Sequence, residues 1–297
     1  MVSPARRRDA VKYLCRRHKV SERRACKVVG QHRSTQRYAS VPSDFESQLV
    51  KAMNAFAVAY PRYGYRRIHS LLVEDGWSIN RKRVERLWRL EGHRVPPIRK
   101  KRWGNDASGI SDNSAWNLPS VAPNHVWSYD FVAARTRDGG PLRILNVVDE
   151  FTRECVGAHV ARNIGARDVQ RFLEQLFKTR GRPKIIRSDN GREFSADLLV
   201  DWLTEHKITA AFVAKGSPQE NCFVERFNGS MRDELLNGEE FHSVTEARVV
   251  AQWVEIYNTI RPHRGLRMKT PAAFAASWRP PDVSGPPAYD GGKKGGR

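Results

Sequence analysis

Apolar positions along this chain fall into two regimes. Over roughly the first hundred residues they recur at helical spacing, whereas from Val126 onward they gather in short aromatic and β-branched runs. The run Val126-Trp127-Ser128-Tyr129-Asp130-Phe131-Val132 reads as a buried strand, and further strands are predicted near 142–149, 154–160, 184–188 and 208–213. Helices are predicted near 166–179 and 194–206. Phe223 and Phe227, at i and i+4, predict another packed on the sheet, and a last one covers roughly 243–260. Three consecutive strands followed by alternation of strand and helix make a mixed sheet covered by helices.

The helical first part divides in two. Ala10, Val11 and Leu14 mark one amphipathic face, Ser21 is a good N-cap for Glu22 to Val29, Gly30 stops that helix, and Ser34 caps a short third one. This predicts a small helix-turn-helix unit, with a three-helix packing unit as the alternative. A second unit starts with a helix from about Phe45 to Val58 that ends before Pro61. Tyr63-Gly64-Tyr65-Arg66-Arg67-Ile68 opens the next, which stops near Gly76. Asn80 then caps a helix with Val84, Leu87 and Trp88 inward and Arg81, Lys82, Arg83, Arg86 and Arg89 largely outward, the candidate recognition helix. After Pro96-Pro97 come the basic cluster Arg99, Lys100, Lys101 and Arg102 and a Ser/Asn/Gly-rich stretch, which predict a linker. The expected division is 1–42 and 43–98 for the two helical units, 99–120 for the linker, 121–280 for the α/β region and 281–297 for a disordered Pro/Gly-rich tail.

Charge sharpens that division. Residues 1–105 hold 26 Lys and Arg against 8 Asp and Glu, a net of +18, and residues 106–297 hold 26 against 24, a net of +2, together the +20 of the chain. A first half so basic is suited to displacing counterions from a polyanion, for which duplex DNA is the expected partner. Without a long uncharged apolar run, a membrane segment is not expected and the predicted location is cytoplasmic. Cys15, Cys26, Cys155 and Cys222 form no close pairs, so structural thiols are the default; Cys15, His18, Cys26 and His32 form a weaker zinc alternative.

Three acids stand in local sequences that a two-metal phosphoryl-transfer site needs. A carboxylate at Asp130, inside a buried strand, calls for a cation or hydrogen-bond partner. Asp189 closes the run Lys184-Ile185-Ile186-Arg187-Ser188 and is followed by the strand-ending Asn190-Gly191, while Glu225 lies on the helix of Phe223 and Phe227. Two strand-borne aspartates and one helix-borne glutamate converge on a pair of hard divalent cations. Trp127-Ser128-Tyr129-Asp130, then Ser188-Asp189-Asn190-Gly191-Arg192-Glu193-Phe194, then Ser217-Pro218-Gln219-Glu220-Asn221 leading to Glu225-Arg226-Phe227-Asn228-Gly229 resemble the core of retroviral-type integrases and insertion-sequence transposases. The 35 residues between Asp189 and Glu225 are the interval of that acidic-triad class. From Arg6 to Ala276 the chain most resembles the second-reading-frame product of an insertion-sequence-three family transposase.

The resemblance implies an α/β fold: a ribonuclease H-like mixed-sheet catalytic core preceded by all-α helix-turn-helix DNA-binding units. It implies Asp130, Asp189 and Glu225 as catalytic residues and ligands of two Mg²⁺ ions, for which Mn²⁺ substitutes, with Asp130 bridging the two. The expected activity is cleavage and joining of DNA at the terminal inverted repeats of a mobile element. The alternatives are a metal-dependent nuclease without joining activity and an inert DNA-binding relic. Glu220, five residues before Glu225, lies about 140° away on a helix and cannot share its metal. Glu193, Asp149, Glu150, His159 and His206 are expected to be solvated or structural, as is His263 unless it contacts DNA. The expected DNA contacts are Arg66, Arg67, Arg81, Lys82, Arg83, Arg86, Arg99, Lys100, Lys101, Arg102, Lys215, Asn228 and Arg232. At least a dimer is expected on DNA, with an upstream-frame product as fusion or partner.

Overall fold

The computed structural model describes residues 4–38, 43–97, 117–189, 197–213, 221–246 and 249–280. It divides into two compact units, residues 1–55 and 56–297. The boundary falls inside helix α4 (Asp44–Ala59).

In the first unit, α1 (Pro4–His18), α2 (Glu22–Val29) and α3 (Arg33–Arg37) enclose Val11, Ala25 and Cys26. Ser21 caps α2 as predicted, its hydroxyl accepting the Arg24 N–H at 3.4 Å, and Gly30 ends it in the left-handed region at φ 65°. The cap of α3 differs: His32 takes the role expected of Ser34, its Nδ1 accepting the Ser34 N–H at 3.3 Å. An imidazole nitrogen at the N-cap satisfies one of the helix's orphan N–H groups. His32 is thereby committed to the cap and Cys26 to the apolar core, two of the four side chains of the zinc alternative.

The second unit opens with α5 (Tyr65–Glu74) and α6 (Arg81–Leu90), whose buried faces carry Ile68, Leu71, Leu72, Val84, Leu87 and Trp88. Asn80 caps α6, accepting the Lys82 N–H at 2.9 Å. The sheet follows: β1 (Val126–Arg135), β2 (Pro141–Asp149), β3 (Cys155–Ala161), β4 (Ile185–Ser188) and β5 (Thr209–Phe212), in the order β3-β2-β1-β4-β5. The β1–β2 and β2–β3 pairs are antiparallel, and β1–β4 and β4–β5 are parallel. This is the predicted mixed sheet, with ribonuclease H-like topology. Helices α7 (Ala166–Arg180) and α8 (Asp197–Glu205) cover one face. The other carries α9 (Cys222–Met231), continued by a π-helical turn Arg232–Leu236, and α10 (Val249–Thr259). Helix α10 starts later than the predicted 243, because Ser243 and Glu246 close a local turn through the Ser243 hydroxyl and the Glu246 carboxylate. The last helix, α11, is Pro271–Ser277, capped by Thr270. No described helix is long and apolar enough to cross a membrane.

Strand alternation sorts the side chains of β1 between the two faces. Trp127 and Tyr129 join the core under α7 and α8, so Ser128, Asp130 and Val132 turn toward α9 and α10. In β2, Leu145 and Val147 share the first face, leaving Ile144, Asn146 and Val148 on the second.

Two ionic knots hold this frame. Beneath β4 the fully buried Arg187 donates to both carboxylate oxygens of Glu150 and, at 2.7 Å, to the Leu118 carbonyl. Burial still pushes the Glu150 carboxyl above its ordinary range, the Arg187 charge only partly opposing it. Asp149 beside it is also structural, accepting the N–H groups of Asn124, Phe151 and Thr152 at 2.6, 2.8 and 3.0 Å. The second knot joins the helical pair to the π-turn: Arg62 pairs with Asp233, and Glu234 accepts from Arg67 at 3.1 Å and from Arg261 at 2.7 Å. Arg67, expected on the DNA face, is therefore turned inward and committed to a carboxylate.

Arg187→Met should destabilise the protein by about 3–5 kcal/mol in urea denaturation, because it leaves a buried carboxylate without its partner. The deficit should narrow as pH falls and Glu150 takes up a proton. Replacing Glu150 by Met as well should recover most of the loss. A single variant within 1 kcal/mol of wild type, on the order of an ordinary exposed pair, would show the knot to be dispensable.

Candidate active site

The sheet register brings the two aspartates abreast. Parallel pairing of β1 with β4 matches Val126 to Ile185, Trp127 to Ile186 and Ser128 to Arg187, so two residues further on Asp130 comes opposite Asp189, at the end of β4. Asp130 is half-buried and Asp189 exposed. Helix α9 lies over the same face of β1 and carries Glu225, half-buried, near its N-terminal end.

Electrostatics tie the three together. Burial pushes the Glu225 carboxyl up to about 7, and the negative charges of Asp130 and Asp189 add to the rise. Burial also raises Asp130, opposed by the Phe131 N–H and Asn228, while Asp189 adds to the rise. Neither Asp130 nor Glu225 is in an ion pair with a described residue. Among the described residues no three His, Cys, Asp or Glu side chains stand close enough together to enclose a metal ion.

Asp130 is held from two directions. Its Oδ1 accepts the Phe131 N–H at 2.7 Å and its Oδ2 accepts from Asn228 Nδ2 at 3.0 Å. Asn228, one turn after Glu225 on α9, in turn accepts from Asn146 Nδ2 at 2.7 Å, and Asn146 is the cross-strand partner of Asp130. Asn228 is thus corrected from an expected DNA contact to a buried clamp on Asp130. The spacing that put it on the face of Glu225 was read properly, but that face turns to the sheet. Asn146 was missed altogether; its signal is an amide within the otherwise apolar run Ile144 to Val148.

The remaining candidates divide clearly. Arg66, Arg81, Lys82, Arg86 and Arg232 are exposed and Arg83 is half-exposed. Arg232 lies near enough to Asp130 for its charge to favour the carboxylate. Arg99, Lys100, Lys101, Arg102, Lys215, Glu193 and Glu220 lie outside the described residues. The histidines are structural: His159 packs on Phe172, His206 on Trp202, and His263 edge-on against Tyr257. Burial, with Arg261 and Arg67 beside it, pushes His263 down to about 3.

Comparison with known proteins falls on the same stretches. Two integrase core domain models match residues 120–218 and 206–271, the first containing Asp130 and Asp189 and the second Glu225, and an HTH-like domain model matches 45–102. The uncharacterized 39.2 kDa protein of insertion element IS476 from Xanthomonas euvesicatoria is 37% identical over 279 residues, covering 94% of this chain and 79% of that one. The uncharacterized 31.7 kDa protein of IS407 from Burkholderia multivorans is 38% identical over 261 residues, covering 88% and 92%. Transposase InsF for insertion sequence IS3A of Escherichia coli is 29% identical over 229 residues, covering 74% and 79%. A helical pair of the HTH-like kind, an integrase core over both aspartates and the glutamate, and insertion-element relatives matched over 79% to 92% of their length have one common reading: the chain belongs to the insertion-sequence-three family of transposases.

Proposed function

We propose that this DNA transposase cuts and joins strands at the ends of its mobile element with Asp130, Asp189 and Glu225 as the carboxylates that hold its divalent cations. The observation that carries the reading is the sheet register that sets Asp130 opposite Asp189, with Glu225 on the helix over the same face; burial, with the charges of Asp130 and Asp189 adding to it, raises Glu225 to about 7. Like charges on one face of the sheet are stabilised by a cation, and an all-oxygen donor set suits Mg²⁺ or Mn²⁺ better than softer metals. Once bound, Mg²⁺ supplies neutralisation of phosphodiester charge and activation of the attacking hydroxyl.

The chain's own residues do the rest. Asn228 and Asn146 fix the rotamer of Asp130, so that its free lone pairs are aimed before any ligand arrives. Arg232, exposed beside the acids, is placed to meet a phosphate oxygen. Arg81, Lys82, Arg83 and Arg86 on α6 face outward for the groove of the element end. Joining two ends calls for at least two copies of the chain on DNA.

Single changes of Asp130 or Asp189 to Asn, or of Glu225 to Gln, should abolish nicking of an element-end duplex and leave its binding nearly intact. Glu220→Gln should stay active; the reverse pattern for Glu220 and Glu225 would move the third ligand. Asn228→Ala should lower the Mg²⁺ affinity about 10–100-fold without abolishing turnover at saturating metal.

The raised Glu225 sets a direction for pH. Its carboxyl is protonated below about 7 in the metal-free protein, so Mg²⁺ must displace a proton there and its affinity should weaken as pH falls. Calorimetry at pH 6 in two buffers of different ionisation enthalpy should show proton release, absent in Glu225→Gln. Equal heats in both buffers for wild type would contradict the assignment.

On α6, Arg81→Ala, Arg83→Ala and Arg86→Ala separate two kinds of contact. At least one should erase discrimination between the element end and a scrambled duplex in a competition binding assay, as loss of a base contact does. Uniform weakening by all three would mean that α6 touches only phosphates.

A further inference from the structure

Between α5, α6 and the segment Pro262–Met268 that follows α10 lies a cleft of about 540 Å³, lined by Arg66, His69, Ser70, Arg81, Arg264 and Met268. It runs into a second hollow of about 260 Å³ at the N-terminus of α5, with Arg66, Arg264 and Met268 common to both. Two helices of the HTH-like stretch form one wall, and a loop of the catalytic region forms the other.

Three features of this cleft select an anion. Arg66, Arg81 and Arg264 are exposed, and none is in an ion pair with a described residue. Among the described residues no carboxylate lines either compartment. The N-terminus of α5 opens into it at Gly64, which has no side chain to cap the helix, so the positive end of the helix dipole also adjoins the space. The other polar side chains nearby are already engaged: Arg67 by Glu234, and His69 through its Nε2 contact with the Ile79 carbonyl at 3.2 Å.

The loop is also held in place. Ser70 donates to the Met268 carbonyl at 3.3 Å, His263 and Met268 N–H groups bond the Lys269 and His263 carbonyls at 3.0 and 2.8 Å, and Arg267 and Met268 lie in the left-handed region at φ 54° and 68°. Arg264 therefore projects from a fixed turn, so little ordering entropy is lost on binding. Arg81 begins α6, and a helix entering a groove has a phosphate strand running past its first turn.

Resting on the DNA-transposase reading above, we infer that Arg264, with Arg66 and Arg81, clasps the sugar–phosphate backbone of the duplex that α6 reads. One strand is thereby gripped by the HTH-like stretch and the catalytic region together. The contacts to phosphate are sequence-independent and act through charge.

The test uses the full chain and fluorescence anisotropy with two duplexes of equal length, an element end and a scrambled sequence, across a range of NaCl concentrations. Arg264→Ala should weaken both by the same factor and reduce the slope of log affinity against log salt by about 0.9, the share of one displaced counterion. Arg264→Lys should keep the wild-type slope. Arg66→Ala, on a different element, should reproduce the loss and guards against a folding defect in the loop variant. Wild-type affinity and slope in both alanine variants would overturn the cleft while leaving the DNA reading intact. A wild-type protein whose binding ignores salt would bring down that reading and this one together.

Discussion

Mutual repulsion among three carboxylates, two of them half-buried, is the constraint on which the rest of this structure depends. Asp130 and Asp189 raise the Glu225 carboxyl on top of its own burial, so the approach of these three groups opposes folding in the absence of a counterion. The fold tolerates this because each acid is anchored on a separate element with its own support. Asp130 sits mid-strand, fixed by the Phe131 N–H and the Asn228–Asn146 relay. Asp189 follows a strand pinned from beneath by the buried Arg187–Glu150 pair. Glu225 rides a helix whose Val224, Phe227 and Met231 are buried against the sheet.

That same helix links the acids to α5 and α6. Nine residues after Glu225, Glu234 accepts from Arg67 and Arg261, and beside it Asp233 pairs with Arg62. A buried pair of this kind contributes little net stability, but it fixes geometry strictly, since removing one partner strands the other. The α5–α6 pair is thus registered against the end of the stretch that carries Glu225. The cleft at Arg264 lies on the same seam, where the loop after α10 meets α5.

The strands, and the elements that carry Asp130 and Glu225, were legible because they rest on local signals. Alternation in Val126–Val132 places Asp130 opposite the face of Trp127 and Tyr129, and helical spacing puts Asn228 on the face of Glu225. What that face meets was not legible. Asn146 is 82 residues from Asn228, and Glu150 is 37 from Arg187, and no local spacing reports pairings at such separations. For the same reason Arg67 read as one more basic residue beside Arg66, although a helix places neighbours about 100° apart and only one of them faces solvent. The cap of α3 went to His32 over Ser34 because imidazole is rarely weighed as a capping acceptor.

The central claim is that Asp130, Asp189 and Glu225 form one cation site. Crystals grown with Mn²⁺ and examined for anomalous scattering test it most directly. The account predicts Mn²⁺ scattering at these three carboxylates, lost in Asp130→Asn. Mn²⁺ bound at saturating concentration only at other side chains, with these three carboxylates uncoordinated, would contradict it.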